Sequence, residues 1–133
     1  IKSDGLQELL IEKIEKFKIS NYFVFDMSIP DTLKYLNLGF NVYGRQSEYE
    51  LDTPFYDKIT GIWLDCFDSI WYDKNLIESN LKNNKNVCIV SSDLHGRNYL
   101  KHWDLLKSWN IHKKKNIFLC TDFPKKANLF FKI

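Results

Sequence analysis

Short apolar runs rich in β-branched and aromatic residues recur along the chain, and stretches with helical spacing separate them. Val87–Val90 is the clearest run. It follows a polar Lys/Asn patch and ends at Ser91-Ser92, the pattern of a strand buried on both faces. Phe23–Phe25, Asn41–Ser47, Gly61–Phe67 and Ile117–Cys120 have the same character, and Ile1-Lys2 has the look of a strand's last residues. Between them, Leu6, Leu10, Ile14 and Phe17 predict an amphipathic helix over residues 5–18, with Asp4 and Gln7 at capping-box spacing. Ser28 and Pro30 open a second helix, whose Leu33 and Leu36 are expected to face inward and which Gly39 ends. Residues 51–60 form a loop around Pro54. Asp73–Asn83 and Tyr99–Trp109 are further helices. The stripe Tyr99, Trp103, Leu106 and Trp109 belongs to the core, and Pro124 opens a last helix containing Ala127, Phe130 and Phe131.

Strand–helix alternation implies parallel pairing, because a crossover helix returns the chain to the same edge of the sheet. The expectation is an α/β fold with six parallel strands and one domain spanning residues 1–133. All strand ends then share one edge, where ligands of α/β folds are met. Lys2, Asp26, Arg45 with Glu48, Asp93 and Asp122 stand at five of those ends. Asp65 stands inside the remaining strand, one turn short of its end. A ring of mixed charge there suits a polar, anionic substrate. The competing reading is that such residues cap helices, with Asp93 or Asn98 as the cap of the helix that begins at Tyr99.

Composition narrows the picture. The chain has 133 residues, 44% hydrophobic and 16% aromatic, enough for a core and unlike a disordered segment. The net charge is +2, and Arg45 and Arg97 are the only arginines. The scattered lysines, including the run Lys113–Lys115, read as solvated positions, so no nucleic-acid partner is expected. No apolar run approaches the roughly 20 residues of a membrane span. Cys66, Cys88 and Cys120 lie in strand-like runs without CxxC spacing, which points to buried thiols and a reducing, cytoplasmic setting. His102, beside an apolar stripe, and His112, in a lysine-rich turn, are expected to be structural.

The succession FVFDMS, VYGRQSEYE, GIWLDCF, VCIVSSDLHGR and FLCTDFP resembles the C-terminal three-quarters of glycerophosphodiester phosphodiesterase-like proteins. These belong to the phosphatidylinositol-specific phospholipase C-like (β/α)8 barrels. Lys2 looks like the lysine of that family's Glu-x-Lys strand, and Thr121–Pro124 looks like its closing Thr-Asp-x-Pro. The family's Trp-Thr-Val strand has its counterpart at Val87–Ser91, without the tryptophan. The resemblance implies six strands of a (β/α)8 barrel that hydrolyses a phosphodiester of a glycerophospho-compound. It places the family's His-Arg-Gly, its Glu-x-Asp pair and its second catalytic histidine upstream of Lys2. The remaining barrel strands would come from the same longer chain or from a partner.

Under that reading Lys2 and Arg45 hold phosphate oxygens, and Asp26, Glu48 and Asp93 line the substrate site. Asp65 helps bind a divalent metal, magnesium or calcium, that is held mostly by residues outside the chain, and His95 acts as acid or base. Two other readings stay open. FVFDMS and CIVSS also resemble the haloacid-dehalogenase-like phosphatases, although Ser28 stands where those have a second aspartate. A barrel descendant kept as a non-catalytic binding domain is the third.

Overall fold

A computed structural model describes Lys2 and residues 4–132. Its elements run α1 (Gln7–Lys16), β1 (Val24–Phe25), α2 (Ile29–Asn37), β2 (Val42–Gln46), β3 (Gly61–Leu64), α3 (Lys74–Lys82), β4 (Asn86–Val90), α4 (Tyr99–Ser108), β5 (Ile117–Cys120) and α5 (Pro124–Phe131), with short 3-10 turns at Ser92–His95 and Ile111–Lys113. The five strands form one sheet in the order β1-β2-β3-β4-β5, and every pairing is parallel. This is a curled half-barrel sheet. Its order never reverses, unlike that of a doubly wound sheet.

Five strands are described where six were expected. Ile1, half of the sixth, lies outside the described residues, and Lys2 has no strand pairing. The alternation is also incomplete, because β2 reaches β3 through a loop without a helix. Strand β3 ends at Leu64, so Asp65 stands just past its end rather than inside it.

Period-two alternation gives the sheet two different faces. Val24, Val42, Ile62, Leu64, Val87 and Ile89 meet Tyr35, Ile77, Trp103, Leu106 and Phe131 of the helices in the main core. On the concave face Tyr43, Trp63, Cys88 and Val90 cluster with Phe23, Phe25 and Cys120, and no described helix residue joins them. Gly61 is needed there. A Cβ at this position would stand 2.6 Å from the Tyr43 ring, which is itself stacked on Phe23 at 4.0 Å.

Several helix ends carry side-chain or glycine caps, of which only that at Asp73 was not expected. Ser28 Oγ accepts from the Asp31 N–H, Asp73 from Leu76 and Asn98 from Leu100, while Gly39 takes φ 77°. Two expectations are corrected. Leu6 rather than Asp4 precedes the first turn of α1, and the Asp4 carboxylate instead accepts from the Ser28 N–H at 3.2 Å. Leu33 is exposed, because Asp31 and Tyr35, one turn apart, set the buried side of α2. All three cysteines are free thiols. Among the described residues no helix is long and apolar enough to cross a membrane.

Candidate functional site

The C-terminal ends of the strands bring most of the charged positions together. Asp26 follows β1 with φ 59°, a left-handed turn that presents its carboxylate to both sides. Arg45 Nη1 donates to Asp26 Oδ1 at 2.5 Å, and Lys2 Nζ meets Oδ2 at 2.5 Å. Arg45 Nε also donates to Glu50, across the tight turn that Ser47 and Glu50 close with paired backbone bonds. Lys2, Asp26, Arg45 and Glu50 therefore form one chain of alternating charge. The bond from Glu50, together with the Asp26, Glu50 and Asp65 charges, outweighs burial and raises the Arg45 pKa. Arg45 remains a fixed cation.

A second group stands beside the first. His95 Nε2 lies 2.7 Å from Asp65 Oδ1, and Asp65 is nearly buried. The 3-10 turn Ser92–His95 ends at Gly96, whose φ of 67° redirects the chain and aims the imidazole back over β3. Asp65 is held in turn. Its Oδ1 accepts from the Cys66 N–H at 2.8 Å, and its carbonyl accepts from Trp71 Nε1 at 2.8 Å. Because a carboxylate can only accept, the ring carries a proton on Nε2, facing Asp65. The Phe67 ring lies 5.0 Å from the His95 ring and 5.8 Å from the Arg45 guanidinium, so it joins the two groups.

The structure does not bring Glu48 and Asp93 into this cluster. Glu48 spends both oxygens on the N–H groups of Phe67, Asp68 and Ser69, at 3.1, 2.7 and 3.3 Å. Burial pushes its carboxyl up, but those amides prevail and its pKa is lowered. Glu48 thus holds the loop that carries Phe67. Asp93 Oδ2 accepts from Thr121 Oγ1 at 2.9 Å and from the Asp122 N–H at 2.7 Å, tying β4's exit to β5's. Its carboxyl is likewise lowered, as bonds to Ser91, Asp122 and Thr121 overcome burial.

Sequence reasoning missed Phe67 and the Arg97 contact. Arg97 reaches back to the Cys66 carbonyl and to its Sγ, the latter at 3.2 Å. Its place next to Gly96 in the motif was visible, but its partner was not. Burial pushes the Cys66 thiol up, against the Arg97 and Ser92 hydrogen bonds, which favours the protonated thiol.

Among the described residues no three His, Cys, Asp or Glu side chains converge to hold a metal ion. Asp26 lies between two cations, Asp65 is bonded to His95, and Glu48 and Asp93 accept from amides and a hydroxyl. This donor set does not fit magnesium or calcium by itself. The rim is also shallow. The cavity beside Arg45 holds about 90 Å³, whereas a far larger one of about 620 Å³ opens at the opposite end of the strands, away from these groups.

No protein-family model matches the chain, and no curated protein or solved structure matches it either.

Proposed function

We propose that the chain carries part of the active site of a phosphoric diester hydrolase built on a (β/α)8 barrel and acting on a glycerophospho-compound. The observation that carries this reading is the Asp65–His95 pair set beside Arg45 at the C-terminal edge of five sequential parallel strands. Three requirements of phosphodiester hydrolysis have candidates there. Arg45 and Lys2 hold phosphoryl oxygens where negative charge concentrates. His95 accepts a proton at Nδ1, with the imidazolium stabilised by Asp65. Further barrel strands, which the motif resemblance places upstream, supply the other acid/base residues and the ligands of any divalent metal. The free thiols fit a cytoplasmic setting.

One observation favours a second reading, a non-catalytic barrel descendant. Arg45 is engaged by Asp26 and Glu50, and an arginine so paired suffices as a loop clamp. Arg45→Ala in the complete polypeptide separates the two. As a phosphate ligand, Arg45 contributes roughly 1.5–3 kcal/mol, so affinity for glycerol phosphate falls about tenfold or more. As a half-exposed ion pair it adds little stability, so the melting temperature stays within about 5 °C. Unchanged affinity with a larger drop in melting temperature would make Arg45 a clamp and remove it from the site.

A further inference from the structure

Helices α4 and α5 both run back against the parallel strands, so their C-terminal ends meet at the N-terminal end of the sheet, opposite the rim. A cavity of about 440 Å³ opens there, within the size range of small-ligand pockets. Lys107, Asn110, His112, Lys113, Phe131 and Lys132 line it, and none of these is an acid. One wall is fixed, because the His112 ring stacks on Phe131 at 5.5 Å and Phe131 belongs to the main core.

Helix capping explains one of the three lysines. Cations suit helix C-termini, whose last carbonyls lack partners within the helix. Lys107 serves in that way, since its Nζ donates to the Phe130 carbonyl at 2.7 Å and lies 4.6 Å from the Phe130 ring. That bond leaves two of its three N–H donors. Lys113 and Lys132 do not share the task. Among the described residues neither ammonium group has an acceptor or an ion-pair partner. The neighbouring Lys114 shows the contrast, reaching Glu78 at 2.9 Å.

The charges around the cavity do not balance. Two helix C-termini, at about half a negative charge each, supply roughly one negative charge. Three ammonium groups therefore leave about two positive charges unmatched. His112 feels the excess. Burial, then the Lys113 and Lys107 charges, lower its pKa, and no carboxylate acts the other way. Its Nδ1 is also buried without a hydrogen-bond partner among the described residues, and such atoms ordinarily have one. Asn110, in a left-handed turn at φ 57°, adds a neutral amide to the same lining.

The geometry points to a phosphoryl-binding site at this cavity, in which Lys107, Lys113 and Lys132 hold the oxygens of one dianion and Asn110 is a neutral donor. The occupant is a phosphate dianion, either free or as a phosphomonoester. A dianion matches the two unmatched charges. Lysines suit it because an ammonium acts on phosphate as a point charge and needs no bidentate approach. The wall of His112 and Phe131 keeps water from one side, which strengthens each contact. The site is separate from the rim, and its occupancy does not depend on the chemistry proposed there.

The test is a titration of the full-length protein with inorganic phosphate at fixed ionic strength and about pH 8, where phosphate is the dianion, followed by backbone amide NMR shifts. The Asn110, Lys113 and Lys132 amides should move together and reach half-saturation at about 1 mM or below. Lys113→Gln combined with Lys132→Gln removes two exposed, unpaired charges. It should keep the fold and weaken this binding at least about tenfold. Arg45→Ala should leave the same shifts within about twofold, so failure of the rim reading would not register here. A parallel titration with phenyl phosphate distinguishes the two sources. Tighter binding than phosphate identifies a phosphomonoester as the occupant, and any other order of affinity identifies the free ion. Shifts that drift without saturating, or a half-saturation unchanged in the double variant, would overturn the inference and return Lys113 and Lys132 to solvated positions.

Discussion

His102 makes the stability of this fold depend on pH in a window where few other groups titrate. Its side chain is fully buried between α4 and the ends of β3 and β4. The Ser92 N–H points at Nδ1 from 3.3 Å, with Ser92 Oγ at 3.0 Å, and Tyr72 Oη stands 2.6 Å from Nε2. A backbone N–H can only donate, so Nδ1 accepts and the ring proton sits on Nε2, facing the tyrosine. Protonating Nδ1 would oppose that N–H and place a charge in an apolar site. Burial, with a smaller effect from the Arg97 charge and some relief from Asp93, lowers the His102 pKa from 6.5 to about 4. Because the folded pKa is depressed, the unfolded chain binds the proton first. Stability is complete above about pH 6.5 and is lost as pH falls toward about 4. At roughly 1.36 kcal/mol per pKa unit the full loss is about 3 kcal/mol, of which about 2 kcal/mol is gone by pH 5. The lowered carboxyls of Asp31, Glu48, Glu78 and Asp93 lose their contribution mainly below their ordinary range, so they hardly enter this window. His112, pushed down by burial and then by Lys113 and Lys107, contributes with the same sign. Urea denaturation at constant ionic strength between pH 7.5 and 5, on the parent, His102→Gln and His112→Gln, resolves the two. The slope should shrink only a little in His112→Gln and fall to a small remainder in His102→Gln, whatever the absolute stability of each. A flat profile in the parent, or an unchanged slope in His102→Gln, would refute the buried neutral imidazole.

Two further predictions concern packing and the rim. Gly61→Ala drives a methyl into the Tyr43 ring, which Phe23 holds in place, and should cost about 1–3 kcal/mol in urea denaturation. Asp93→Ala should cost about 1 kcal/mol by freeing the Thr121 hydroxyl and the Asp122 amide. If the proposed site binds glycerol phosphate, calorimetric titration should show that this variant keeps its affinity within about twofold.

What was legible in the sequence is what depends on near neighbours. NVCIV announces β4 because five residues between polar flanks leave little else to form. Asn98 and Ser28 were readable as caps because a cap needs only its own next turn. Lone competitors defeated the same logic at Asp4, whose carboxylate was taken by Ser28, 24 residues away. The charged ends of the strands were found, since parallel pairing puts them on one edge whatever their separation. Their partners were another matter. Arg45 with Glu50 was foreseeable within one turn, whereas Asp65 with His95 depends on how a 3-10 turn and Gly96 rotate one ring. Glu48 could not have been assigned at all, because its partners are three main-chain amides, which leave no mark in a sequence.

Those partners decide how an anion could bind at an edge where acids outnumber cations. Asp65, Glu48 and Asp93 already have compensating donors, so the relevant balance is local, between Lys2 and Arg45 on one side and Asp26 and Glu50 on the other. The two acids differ. The Asp26 side chain is 15% exposed and shared by both cations, while that of Glu50 is 44% exposed and pairs with Arg45. If Arg45 holds phosphate as proposed, an incoming phosphate oxygen would displace Glu50, whose exposure lets it swing into water. Breaking so exposed a pair costs about 0.2–1 kcal/mol, against roughly 1.5–3 kcal/mol for a charge-assisted bond to phosphate. On that reading Glu50 would compete for the guanidinium, and its removal should help the ligand. Glu50→Gln is expected to tighten glycerol phosphate binding by up to about fivefold, with the gain shrinking as salt screens the competing charge. Weaker binding in Glu50→Gln would mean that Glu50 orients Arg45 for the ligand, and the displacement argument would fall.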